Sequence, residues 1–161
     1  TPADAQNAAA TDNPQTIAPV ADQLLADVTK LRDEVNAPGF EFETGSFVKG
    51  PQALIDEVAA TKIDGEEDRY SHTDLWDFQA NVDGARVAWE GLRPLLQRKD
   101  KALDEQIATA FTDLQTLLDA QRKGDGFATY DELSEDQVKE LSDAVNALSE
   151  PLSKIAGVIL A

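Results

Sequence analysis

Oxygen-bearing side chains crowd one stretch of the chain, the run Gly65-Glu-Glu-Asp-Arg-Tyr-Ser-His-Thr-Asp-Leu-Trp-Asp-Phe-Gln-Ala-Asn-Val-Asp-Gly84. Wound as a helix, this run places Leu75, Phe78, Val82, Ala85 and Trp89 on one face, a pattern suited to a core. About 100° away lies a second stripe of Glu67, Tyr70, Asp74, Asp77 and Asn81, with Glu66 beside Tyr70. Stacked carboxylates repel by a few tenths of a kcal/mol per pair on an exposed helix. Burying them unpaired costs far more. A bound cation relieves both penalties. Carboxylates with a tyrosine or histidine suit a hard or borderline metal, iron (Fe2+ or Fe3+) first and divalent zinc or copper next, and carboxylate iron sites are built between the helices of bundles. One helix supplies only part of such a shell. The competing reading is a solvated acidic face, natural in a chain with 31 acidic and 14 basic side chains.

His72, the only histidine, falls about 160° from Asp74 on that helix and is the weaker ligand candidate. Leu75 and Trp76 occupy the positions three and four residues beyond it, so it opens no His-x-x-Glu or His-Glu-x-x-His motif. A serine–histidine–acid triad has no other histidine to draw on, and no Gly-x-Ser-x-Gly elbow accompanies this one. With no cysteine in the chain, thiolate ligands and thiol nucleophiles are excluded. A second oxygen-rich segment, Asp125-Gly-Phe-Ala-Thr-Tyr-Asp-Glu132, has the glycine and terminal glutamate of half an EF-hand loop. The same alignment puts Gln121 and Lys123 where anionic ligands belong, so the segment is read as a connector between helices.

The elements that must carry these residues are helical. Alanine is abundant, aromatics are 6%, and that balance favours helix over sheet. Thr1 to Gln15, small, polar and interrupted by Pro2 and Pro14, reads as a linker or irregular tail, and residues 16–161 as one helical domain. Ile17, Val20, Leu24, Val28, Leu31 and Val35 recur at helical steps until Asn36-Ala-Pro-Gly39 stops them. Pro51 to Thr61 reads as a short helix. Asp64-Gly-Glu-Glu67 has the form of a capping box, predicting that the long acidic helix opens there and runs to about Arg98, bent at Pro94. Another helix is expected from Asp100 to Lys123, with Leu103, Ile107, Ala110, Leu114 and Leu117 inward. A last one opens at the Ser134–Gln137 capping box and carries Val138, Leu141, Val145, Leu148, Leu152, Ile155 and Ile159, with a kink at Pro151. Long amphipathic helices on short connections predict an all-α antiparallel bundle.

A formal net charge of −17 argues against partners that are themselves polyanions, nucleic acid and anionic membrane surfaces among them. No apolar run approaches the roughly 20 residues of a membrane span. A chain with no methionine that begins at Thr1 is expected to be processed, or part of something longer.

The central run resembles the EfeO-type iron-uptake proteins, whose main domain is imelysin-like and was classed as a peptidase. The likeness extends through Arg93-Pro-Leu95, the Gly124-Asp-Gly-Phe127 turn and Leu141-Ser-Asp-Ala-Val-Asn-Ala147, and covers most of the chain from Ile17 onward. It implies an extracytoplasmic protein, periplasmic or a cell-surface lipoprotein, that binds iron without catalysis and works beside a membrane permease and a haem peroxidase-like partner. In that family a His-x-x-Glu pair on an earlier helix marks the metal site, and this sequence lacks it. The chain is therefore expected to be the C-terminal part of an imelysin-like domain, with the N-terminal portion, carrying that pair, docked against its apolar stripes. Glu66, Glu67, Tyr70, Asp74 and Asp77 are the candidate metal ligands, with His72 beside them. Two other classes of function remain open at this point: a metal-dependent peptidase, and a module for a cell-surface polysaccharide, which would want an aromatic-lined groove, whereas Trp76 and Trp89 sit at spacings as consistent with packing.

Overall fold

A computed structural model describes the backbone of residues 14–63, 65, 68 and 70–161. It is built from helices and falls into two compact units, Thr1–Phe42 and Glu43–Ala161.

In the first unit a single helix, α1 (Pro14–Val35), is the described element. Pro14, read from the sequence as tail, is its first residue; residues 1–13 lie outside the described part. Asn36 ends it, its backbone N–H and its side-chain amide both donating to the Arg32 carbonyl. Gly39 then takes the left-handed conformation, φ +86°, that ends helices at little steric cost only for glycine. The predicted stripe forms, but Val20, Leu24, Val28 and Leu31 are each more than half exposed.

The second unit opens with the short helix α2 (Thr44–Phe47), capped by the Glu43 carboxylate, and α3 (Gly50–Glu57) with Pro51 in its first turn. The last turn of α3 widens into a π-helical turn, Val58–Lys62. The long helix α4 (Asp74–Lys99) follows after a loop, then α5 (Lys101–Ala120) across the single cap residue Asp100, whose carboxylate accepts from the Leu103 N–H. A small hairpin pairs β1 (Arg122–Lys123) with β2 (Gly126–Phe127), Arg122 opposite Phe127. A 3-10 turn, Tyr130–Glu132, leads to α6 (Glu135–Leu152), opened by the predicted Ser134–Gln137 capping box. Helix α6 stops just past Pro151, and α7 (Ile155–Leu160) resumes the stripe.

Cross-helix contacts fix the orientation of α4 and α5. Gln79 bonds Gln115, Arg86 bonds the Phe111 carbonyl, and Arg93 bonds Asp104. As one position advances the other retreats, the signature of antiparallel neighbours. Likewise Gln137 at the start of α6 reaches Gln121 at the end of α5, and Ser149 near the far end of α6 reaches Asp56 in α3. The shared core takes Leu75, Phe78, Val82, Ala85 and Trp89 from α4, Ile107, Phe111 and Leu114 from α5, and Leu141, Val145 and Leu148 from α6. Every residue of the predicted α4 core face is thus buried. Leu117 and Ala110 sit only at its margin, while Leu118 and Phe111 take the fully buried places on α5. The all-α bundle expected from the sequence is the fold of this unit.

One element differs from expectation. The acidic helix α4 begins at Asp74 with Thr73 as its cap residue, later than expected; of the predicted opening Asp64–Glu67, only Gly65 lies among the described residues. His72, just before, sits in the left-handed region at φ +57°, which breaks helical continuity between Tyr70 and Asp74.

Candidate functional site

Because α4 starts at Asp74, the predicted ligand stripe is divided. Tyr70 stands in the preceding loop, nearly two-thirds exposed, and does not stack one turn above Asp74. Glu66 and Glu67 lie outside the described residues. His72 is half-buried in the loop, while Asp77 is half-buried in the first turn of α4. Asn81 is committed to structure, its amide donating to the Leu54 carbonyl at 3.1 Å. Among the described residues, no three histidine, aspartate or glutamate side chains converge where they would hold an ion.

Asp74 is different. Its side chain is fully buried, rare for a carboxylate outside a paired or functional setting. Oδ1 accepts the Asp68 backbone N–H at 3.1 Å. Oδ2, equally cut off from solvent, has no hydrogen-bond partner among the described residues. A buried polar atom left unpaired costs about 1–3 kcal/mol, and more if charged. The position within the first turn of α4 returns only part of that, since a helix N-terminus favours an anion by about 0.3–1 kcal/mol. The oxygen is therefore a buried acceptor without a partner among the described residues.

The loop that frames Asp74 is tied by its own polar groups. Thr73 Oγ1 donates to the Asp68 carboxylate and is 2.9 Å from Ser71 Oγ. The His72 N–H donates to the Asp68 carbonyl at 2.8 Å, closing a turn that swings Asp68 over the start of α4. From the other side, the hairpin and 3-10 turn close on the loop. Tyr130 donates its hydroxyl to the Ile63 carbonyl and its backbone N–H to the His72 carbonyl at 2.8 Å. Its ring lies against Gly65, where any Cβ would overlap it. Gly65 itself has φ +69°, so glycine is required twice over. Trp76 packs edge-on against Phe127, centroids 5.5 Å apart, and over Gly126, again with no room for a Cβ.

Tyr130 is in turn held by a capping box. Thr129 donates its N–H to Glu132 at 3.1 Å, and Lys123 donates to the other carboxylate oxygen. The Lys123 hydrogen bond, with the Thr129 N–H second, holds the Glu132 carboxyl below its usual value of 4.5. The EF-hand-like segment therefore carries an internal cation, the Lys123 ammonium, on the carboxylate that an EF-hand would give to calcium.

Sequence reasoning named Asp74 and missed Asp68, Thr73 and Tyr130. Thr73 carries a usable signal, a threonine directly before the first aspartate of an apolar-periodic run. Tyr130 carries none, since its three contacts join segments distant in sequence.

The second unit is thus an all-α bundle, the class of fold in which side-chain sites are built between helices, with a buried, half-satisfied carboxylate at the start of its longest helix. The comparisons give that class a family. The imelysin family model matches residues 3–155, and the chain belongs to the imelysin family. It is 44% identical over 138 residues to an Efem/EfeO family lipoprotein of Staphylococcus haemolyticus (strain JCSC1435), covering 86% of this chain and 47% of that protein. It is 44% identical over 139 residues to the iron uptake system component EfeO of Escherichia coli O157:H7, covering 86% of this chain and 36% of the relative. The iron uptake system component EfeM of Pseudomonas syringae pv. syringae (strain B728a) is 44% identical over 140 residues, covering 86% and 48%. The chain thus spans half or less of the length of the curated relatives it matches. No helix among the described residues is long and apolar enough to cross a membrane.

Proposed function

We propose that this chain is part of an extracytoplasmic iron-binding component of an uptake system, and that Asp74 is a ligand for the iron it carries. The observation that carries this reading is the Asp74 carboxylate, fully buried with one oxygen unpaired among the described residues. The names of the relatives, iron uptake components and a lipoprotein, supply the cargo and the compartment. Asp77, one turn along α4, Tyr70 and His72 in the adjoining loop, and Glu66 and Glu67 in the sequence between Gly65 and Asp68 are the other candidate donors. The remainder of the shell is proposed to come from the N-terminal portion of a longer polypeptide, carrying a His-x-x-Glu helix.

The mechanism is binding and release. With the cation bound, the charge on Asp74 is compensated and the unpaired oxygen gains a partner. With the cation gone, the burial penalty returns, which tempers affinity and favours transfer to a membrane permease beside a peroxidase-like partner. Acid opposes binding, because carboxylates must be ionised to ligate a metal. Catalysis has no role in this reading. A peptidase would show casein cleavage that a chelator abolishes.

Calorimetric titration of iron into the parent protein, Asp74→Ala and Asp77→Ala tests the assignment. Loss of affinity in Asp74→Ala supports it. Unchanged affinity in both variants returns these carboxylates to a purely structural role.

A further inference from the structure

Three features of the loop before α4 remain unexplained by iron binding alone: the left-handed His72, the obligate Gly65, and the three contacts that converge on them from Tyr130. We infer that Tyr130 is a positioning residue, a clasp that fixes the approach of the loop to α4 and so sets where the unpaired Asp74 oxygen is presented. This inference rests on the proposed role of Asp74 as an iron ligand, and it deepens that role by naming what tunes it.

The argument is geometric. Asp74 Oδ1 is held by the Asp68 N–H, so the orientation of the carboxylate depends on where Asp68 lies. Asp68 is placed by its carbonyl bond from the His72 N–H and its carboxylate bond from Thr73. His72 is placed by the bond from the Tyr130 N–H to its own carbonyl, 2.8 Å. The chain of contacts therefore runs Tyr130, His72, Asp68, Asp74. At the upstream end of the loop, the Tyr130 hydroxyl holds the Ile63 carbonyl and the ring covers Gly65. One residue thus grips both ends of the loop. A left-handed residue such as His72 is disfavoured by itself, and such a conformation persists only where its surroundings over-determine it. The Tyr130 backbone contact is one of those surroundings. It reaches the site from the segment that follows α5, where Lys123 and Glu132 hold the 3-10 turn.

Tyr130→Phe removes the hydroxyl bond to Ile63 and keeps the ring over Gly65. Gly65→Ala does the reverse, driving a Cβ into the ring. Amide hydrogen exchange followed by NMR, without metal, reads the clasp directly: exchange at the Asp68 N–H should speed up about 3- to 10-fold in each variant, the loss that one hydrogen bond or contact implies. Titration with Fe2+ under anaerobic conditions reads the consequence, an affinity weaker by about 3- to 10-fold. A role in general stability alone would leave the spectrum of bound iron unaltered at saturation. Positioning predicts a changed electron paramagnetic resonance spectrum for saturating Fe3+ in both variants. Parent-like exchange at Asp68, or parent-like affinity and spectrum together, overturns the inference. A parent protein that binds no iron overturns the iron reading instead, and faster exchange at Asp68 in the variants would still support the clasp.

Discussion

Replacing Asp74 by asparagine should make the metal-free protein more stable while abolishing its response to iron. The side chain keeps its shape and its Oδ1, so the bond from the Asp68 N–H survives. What changes is the buried, unpaired Oδ2, where a charged acceptor becomes a neutral amide. Relief of a charged, unsatisfied buried group is worth about 1–3 kcal/mol or more. Against it stand about 0.3–1 kcal/mol of lost attraction to the α4 N-terminus and the smaller cost of leaving the new amide donors unpaired. The balance is a gain of up to about 2 kcal/mol, or up to roughly 10 °C in melting temperature for a unit of this size. Parent protein at a hundredfold excess of iron over its dissociation constant should gain about 2.7 kcal/mol, and Asp74→Asn none. Thermal and urea unfolding, each with and without Fe2+, provide the comparison. An asparagine variant less stable than the parent by 1 kcal/mol and still stabilised by iron would refute the reasoning, because Asp74 would then be an ordinary structural carboxylate.

Asp104 offers the opposite case: it is buried but fully partnered, accepting from Arg93 at 3.1 and 3.2 Å and from Gln97 at 2.8 Å. Asp104→Ala should cost about 2–4 kcal/mol in urea unfolding, towards the lower end of the range for broken buried pairs because Arg93 is partly exposed and can rehydrate. Glu132 titrates below its usual 4.5 because Lys123 and the Thr129 N–H hold its ionised form; its contribution to the 3-10 turn is therefore complete above that pH and fades as pH falls through the lower native value. NMR titration of the Glu132 carboxyl should give a midpoint under 4.5 that rises in Lys123→Ala, and a parent midpoint at or above 4.5 would contradict the contact. Gly126→Ala should destabilise by about 1–3 kcal/mol in chemical unfolding, since the methyl group meets the Trp76 ring.

The helical periods in the sequence carry most of the fold. Leu75 through Trp89 on α4 and Leu141 through Leu148 on α6 announce their buried faces because each has apolar cover on neighbouring helices. The α1 stripe is just as periodic, yet lies open; periodicity reports a face that can be buried and says nothing of what buries it. The start of α4 was misread for a different reason. Asp64-Gly-Glu-Glu67 has the local form of a helix start, but the left-handed turn at His72 and the tertiary contacts of Tyr130 hold the chain just before α4 out of helix. The same fact explains the site. Asp74 and Asp77 stand out as carboxylates at helical spacing, whereas Asp68 and Tyr130 acquire their roles only when the loop folds back on the hairpin. The EF-hand-like segment connects α5 to α6, and the sign of its third-position residue is the clue in the sequence: Lys123 pairs with Glu132 from within.

The most direct test of the account is the location of iron in crystals grown with it. Anomalous differences collected at the iron absorption edge should give a peak within bonding distance of Asp74 Oδ2, absent from crystals of Asp74→Asn. A peak on other side chains with Asp74 uninvolved, or the same peak retained in the variant, would contradict the claim that this buried oxygen is the metal's ligand.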